Sequence, residues 1–254
     1  MNVGMLSLLS FVFLLLVPSS GSTQETIRFL TYHNLPPFVI EQNKRLGATY
    51  ELAKHLTEKS NGQYKFETET LSRLALDREL ATSCRCVVPW VNPVWFRDRN
   101  LKKFNWTSGY AQGRNAIVSL ASKPVEYSGP SSLVAQSISG VAGSVYIGLE
   151  SYIKKGKIRK VETNSMLSSL KDVQAGTADV TLIPASAARY LIASNNLGGV
   201  FHFSTEPHST FSRYFLIANF QAQEDKNLRD YLQSQIPYLK DNPEWKARIA
   251  KYGL

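Results

Sequence analysis

Two successive runs of alternating strand and helix periodicity constrain this chain more than any other feature. In the first run, Ile27 to Tyr32 reads as a strand, followed by the proline-broken loop HNLPPFVI. Gly47 precedes TYELAKHLTEKSN, where Leu52, Ala53 and Leu56 recur at helical spacing, and Asn61-Gly62 ends that helix. YKFETETL alternates as a strand, LSRLALDRELAT is helical, and CRCVVPW is a short buried strand. This βαβαβ order predicts a parallel sheet covered by helices.

The second run begins with NAIVSLAS (115–122) as a strand. QSISGVAGS then carries a strand-like turn into a helix from Ser144 through Leu149. KIRKVETN is a strand and SMLSSLKDVQAG a helix ending at Gly176; ADVTLIP is a strand and ASAARYLIASN a helix ending at Asn195-Asn196. FSRYFLIANF (211–220) closes the run as a strand. The tail from Asn227 is mostly helical, with interruptions expected at Pro237 and Pro243. Segments 107–120 and 209–220 are the expected crossings between two lobes. Ligands of such proteins sit at the C-terminal ends of strands and the N-termini of helices.

The first 22 residues stand apart. An apolar run from Met5 to Val17, then Pro18 and small residues, is too short to span a bilayer as a helix. It has the form of a secretory signal peptide cleaved near Ser22, although no Lys or Arg precedes the run. The alternative is an N-terminal membrane anchor.

The segment carries no charge, so the net charge of +9 belongs to residues 23–254. Its cations are scattered, and the densest cluster, KKGKIRK (154–160), reads as a solvated helix end or loop. No aromatic-basic nucleic-acid motif is present, so nucleic acid is not an expected partner. Cys84 and Cys86 are the two cysteines in the sequence. Outside the cytoplasm they are either small buried residues or a tight local bridge. Two sulfurs and four scattered histidines do not supply a zinc site. Neither a metal nor a cofactor is expected.

The stretch VVPWVNPVWFRDRN (87–100) concentrates aromatic rings, prolines and arginines at the end of the buried strand. Pro89 and Pro93 break strand hydrogen bonding there. Phe96 fits packing against a neighbouring helix, whereas Trp90 and Trp95 fit the wall of a pocket.

Several segments, in order, carry a resemblance. YHNLPPFVI follows the first strand, RNLKKFNWTSGY precedes the first crossing, AGTADVTLIPASAARYL lies in the second lobe, and WKARIAKYGL ends the chain. The set resembles the type II periplasmic solute-binding proteins, more narrowly the family-3 extracellular solute-binding proteins, over about residues 24–254. The resemblance implies an α/β, two-lobed flytrap fold with two parallel-rich mixed sheets and a hinge of two crossing strands. Lobe 1 is then residues 23–113 with 215–254, and lobe 2 residues 114–214. It also implies an exported, periplasmic monomer that closes on a small molecule and presents it to an ABC-type permease. A membrane receptor read by the same closure is the alternative, and a cyclohexadienyl-dehydratase-like enzyme a weaker one, because no Ser/His/Asp or Cys/His constellation is legible.

In the amino-acid binders of this family an arginine pairs with the ligand carboxylate. The position implied here is Arg99, with Arg97 second, upstream of Trp106–Tyr110. A helix N-terminus in the second lobe makes another contact, implying Gly143 and Ser144. An aspartate at the end of a strand pairs with the ligand ammonium. Asp179 matches the structural member of that pattern, but the ligand-contacting position is Pro184. The first-lobe positions that usually hold an acid and a stacking aromatic are Tyr32 and Leu35. The expected ligand site is therefore Tyr32, His33, Trp90, Asn92, Trp95, Arg99, Tyr110 and Ser144. It suits a ligand that is amino-acid-like, held by aromatic stacking, or anionic through Arg99, Arg114 and Ser144.

Overall fold

The structure, a computed structural model, describes residues 24–82, 84–218 and 223–254, apart from the side chains of 223–225. The apolar leader and the last two residues of the predicted strand 211–220 lie outside the described residues.

The first run forms as its periodicity dictates. Strand β1 (Glu25–Thr31), helix α1 (Ala48–Lys59), β2 (Tyr64–Thr70), α2 (Arg73–Leu80) and β3 (Cys86–Val91) give a parallel sheet in the order β2-β1-β3. Period-2 alternation sends Ile27 and Phe29 to one face, where they join Leu52, Ala53 and Leu56 of α1. Leu30 faces the other way, onto Leu76 and Leu80 of α2. Every residue of β3 is buried, as expected of a strand covered on both faces.

After a short β4 (Asn105–Trp106), the second run comprises β5 (Ala111–Leu120), β6 (Ser137–Val141), α3 (Glu150–Lys154), β7 (Arg159–Thr163), α4 (Met166–Gln174), β8 (Val180–Pro184), α5 (Ala185–Ser194), β9 (Phe201–Phe203) and β10 (Ser209–Ile217). Its own apolar clusters form around Ile117, Ile138 and Leu182 on one face and Val118, Leu170 and Ala188 on the other. Two helices, α6 (Gln223–Asp241) and α7 (Pro243–Ala250), end the chain and return to the first run's core through Leu228, Leu232, Ile236 and Trp245.

The two sheets are joined into one path, β2-β1-β3-β10-β5-β8-β6-β7, by the antiparallel pair β5 and β10. β10 pairs with β5 over Ser209–Arg213 and with β3 and β4 over Tyr214–Ile217, so it changes sheets between Arg213 and Tyr214.

Two sequence expectations are corrected. No helix starts at Ser144: residues 144–146 are irregular, 147–149 form a turn, and α3 begins at Glu150. Gly143 and Gly148 both adopt positive φ (77° and 87°), and β-branched Val145 and Ile147 lie between them. Such backbone cannot propagate a helix. Conversely, α6 runs through Pro237. Pro237 lies on the exposed side, while Leu228, Leu232, Ile236 and Leu239 on the other side are buried, so tertiary packing outweighs the lost hydrogen bond. Cys84 and Cys86 form a disulfide with an S–S distance of 2.05 Å.

Candidate functional site

The C-terminal ends of β1, β3 and β8 converge on the strand pair β5–β10. Between them lies a cavity of about 380 Å³. Tyr32, His33, Leu35 and Phe38 come from the loop after β1, and Trp95 from the turn after β3. Asn115, Ser209, Phe211 and Arg213 come from the crossing strands, and Ile147, Met166 and Pro184 from the second run. A neighbouring cavity of about 490 Å³ shares Asn115, Ile147, Met166, Pro184 and Ser209 and adds Tyr127, Ser144 and His208. No Asp or Glu lines either cavity among the described residues.

The first cavity's wall is built by a bulge. Between the pairs Tyr214↔Val91 and Leu216↔Val88, β3 holds one residue more than β10. Pro89 has no N–H for the ladder, and Trp90 takes a left-handed φ of 64°, so the extra residue bends the strand. The Trp90 N–H leaves the ladder and donates to Tyr110 Oη at 2.8 Å. Its carbonyl accepts from Arg213 Nη1 (2.5 Å) and faces His33 Nε2 (3.2 Å). The Trp90 ring, 1% exposed, packs between Phe38 and Tyr110, with centroids 5.3 Å away in each case.

Arg213 is the buried cation of the site. It is 4% exposed and stands over the rings of Phe38 (4.6 Å), Phe211 (5.0 Å) and Trp95 (5.6 Å). Burial lowers its pKa to about 10, so it remains charged at neutral pH. Nη1 holds Trp90, whereas Nε is buried with no hydrogen-bond partner. Its positive charge also bears on His33, whose pKa falls to about 3, first through burial and then through Arg213. His33 is therefore neutral. Facing the carbonyl of Trp90, Nε2 is the nitrogen that carries the proton.

The residues singled out in the sequence are dispersed over this geometry. Tyr32, His33 and Trp95 line the first cavity and Ser144 the second. Trp90 and Tyr110 are fully buried behind the wall and also border a third cavity, of about 1040 Å³, between α7 and the start of α5. Arg213 borders that cavity too, and no Asp or Glu among the described residues lines it. Asn92 is engaged in structure: Oδ1 accepts from Val94 N and Nδ2 donates to the Ser212 carbonyl. Arg99 lies in an exposed loop with Arg97, Lys102 and Lys103, away from the strand ends. The arginine that lines the strand-end cavity is Arg213, because β10 rather than the 97–103 loop passes from one sheet to the other. Ser144 stands in a turn, where its carbonyl accepts from Lys160 Nζ (3.2 Å). Pro184 does occupy the strand end facing the cavities.

Asp98, in the loop that follows β3, is a loop anchor. Its oxygens accept from the N–H groups of Lys102, Lys103 and Phe104 and from Trp106 Nε1 at 2.7–3.0 Å. Burial alone would raise its pKa, but these donors hold it below the usual carboxylate range. Asp179 has a comparable role: Ser137 and Lys123 outweigh its burial and bring its pKa down to about 2.

No protein-family model and no curated protein sequence matches the chain. Solved structures do. The probable amino-acid ABC transporter extracellular-binding protein ytmK of Bacillus subtilis superposes with a TM-score of 0.64 at 18% identity, covering 90% of this chain and 97% of that one. A structure from a study of glutathione import via GshT and the cystine importer TcyBC of Streptococcus mutans gives 0.62 at 16%, covering 91% and 95%. Holo ArgBP of T. maritima gives 0.54 at 18%, covering 89% and 95%. Over nearly its whole described length, the chain has the two-lobed fold of these extracellular solute-binding proteins.

Proposed function

We propose that the chain is a family-3 extracellular solute-binding protein, exported by its first 22 residues, that captures a small molecule between two lobes and closes on it. The observation that carries this reading is the aromatic-walled cavity at the strand ends, lined among the described residues by no Asp or Glu and holding a buried Arg213 whose Nε has no partner among them. Its volume lies at the small end of the roughly 300–1,000 Å³ usual for ligand sites. The proposed lobes are residues 23–113 with 215–254, and 114–214. The change of sheet at Arg213/Tyr214 supports the second boundary. Closure is then a hinge motion of β5 and β10, driven by contacts that ligand makes to both lobes. Delivery to an ABC-type permease, in the periplasm and as a monomer, follows by analogy with the proteins whose fold it shares. A binding role is favoured over catalysis because Asp98 is engaged by four donors and, among the described residues, no Asp or Glu lines the cavities.

The test is small-angle scattering and thermal melting across a panel of amino acids, peptides, amines and organic acids. At least one compound is expected to raise the melting temperature and shrink the radius of gyration. No response to any class overturns the reading.

A further inference from the structure

Arg213 carries a full charge into a nearly water-free place, at a cost of several kcal/mol unless that charge is matched. No acid matches it. The residue is 4% exposed, and among the described residues no ion pair to it exists and no Asp or Glu lines either of the two cavities it borders. One nitrogen, Nη1, is held by the Trp90 carbonyl. The side-on edge formed by Nε and Nη2 has no partner among the described residues, and Nε is buried. Three aromatic rings fix the plane of the guanidinium. A planar fork held in place with two donors unengaged has the geometry of carboxylate recognition.

The rest of the cavity is apolar or neutral. Trp95 and Phe211 meet edge to face at 5.1 Å, Leu35, Ile147 and Met166 add apolar lining, and the imidazole of the wall, His33, is neutral. A ligand ammonium would meet Arg213 as a like charge and no carboxylate as a partner, which disfavours it strongly. Pro184, at the strand end, offers neither charge nor N–H.

Resting on the binding reading above, we propose that the ligand is a small monocarboxylate with an apolar or aromatic body and no ammonium group, its carboxylate taken by the Nε–Nη2 edge of Arg213.

Isothermal titration calorimetry tests this on the full chain, purified and refolded from denaturant to strip any retained compound. The probes come in matched sets: 3-phenylpropanoate, its neutral amide and phenylalanine; 4-methylpentanoate, its amide and leucine; with arginine and glutathione as further ligands. Binding of a carboxylate at least 30-fold tighter than both its amide and its α-amino counterpart is expected. Arg213→Met is expected to abolish that preference, Arg213→Lys to weaken the carboxylate at least 10-fold, and Arg99→Met to leave it unchanged. The carboxylate-to-amide ratio in the unaltered protein needs no variant, so a misfolded Arg213→Met does not obscure the result. Tighter binding of amino acids or glutathione than of the des-amino acids overturns the ligand class while the binding role stands. Carboxylate binding unaffected by Arg213→Lys in a folded protein overturns the assignment to Arg213. No binding by any probe overturns the class proposed here. If the broader panel above also gives no response, the binding reading falls with it.

Discussion

Arg213 Nη1 donates to the carbonyl of Trp90 at 2.5 Å, tying the strand that changes sheets to the bulge that ends β3. The cavity wall and the strand that joins the two sheets are thus one hydrogen-bonded unit. The Trp90 carbonyl is available to Arg213 only because Pro89 and a left-handed Trp90 take it out of the ladder.

Trp90→Ala is expected to lower stability by about 3–5 kcal/mol in chemical denaturation, the usual cost of deleting a large buried side chain. At a φ of 64° a Cβ is itself unfavourable, by roughly 1–2 kcal/mol. Trp90→Gly is therefore expected to be at least as stable as Trp90→Ala, reversing the order found at ordinary strand positions. The opposite order would show that the left-handed backbone is absent in solution.

Tyr110→Phe removes the acceptor of a buried backbone N–H and little else, since the ring stays stacked on Phe215 at 4.2 Å. A loss of about 1–3 kcal/mol is expected. A change under 0.5 kcal/mol, by the same denaturation assay and within its error of roughly that size, would mean that the Trp90 N–H finds another partner.

Asp98→Asn is expected to destabilise by about 2 kcal/mol or more, because an amide N–H₂ must face donors where both carboxylate oxygens now accept. Ligand affinity is expected to stay within about twofold of the parent, as Asp98 serves the 98–106 loop alone. A larger change in affinity than in stability would place it in the site.

Stability is expected to fall as the solution is acidified, in a defined order. His33 and His55 have folded pKa values near 3 and 4, each lowered mainly by burial, against about 6.5 unfolded. The unfolded chain takes up their protons first, so stability is full above about pH 7 and declines as pH drops through 6.5 toward 4 and then 3. Each histidine contributes a slope of up to about 1.4 kcal/mol per pH unit. Asp179 adds a further loss from its unfolded value near 3.9 down to about 2. His55→Phe, stacked on Tyr238 in place of the imidazole, is expected to reduce the slope between pH 6 and 4 by about one proton. An unchanged slope would mean that His55 is protonated in the folded protein.

The two βα runs, both parallel units and the tail helices were legible in the sequence because their periodicity records which face of each element is buried. The resemblance likewise pointed to the loops after β1 and β3, from which Tyr32, His33 and Trp95 line the first cavity. Periodicity is silent where a turn's backbone or a neighbour's packing decides: Gly143 and Gly148 cancelled the helix at Ser144, and the buried side of α6 overrode Pro237. Arg213 did leave a signal, as the one charged residue within the predicted strand FSRYFLIANF. What the sequence determined by itself is the set of elements and their covered faces, which depend on neighbours a few residues apart. Only the tertiary structure decided that Trp90 and Tyr110 are buried behind the cavity wall, that Arg99 lies in an exposed loop, and that Arg213 has no Asp or Glu partner among the described residues. Those outcomes depend on segments near residues 32, 90, 184 and 213 meeting in one place, and burial and charge balance exist only once they have met.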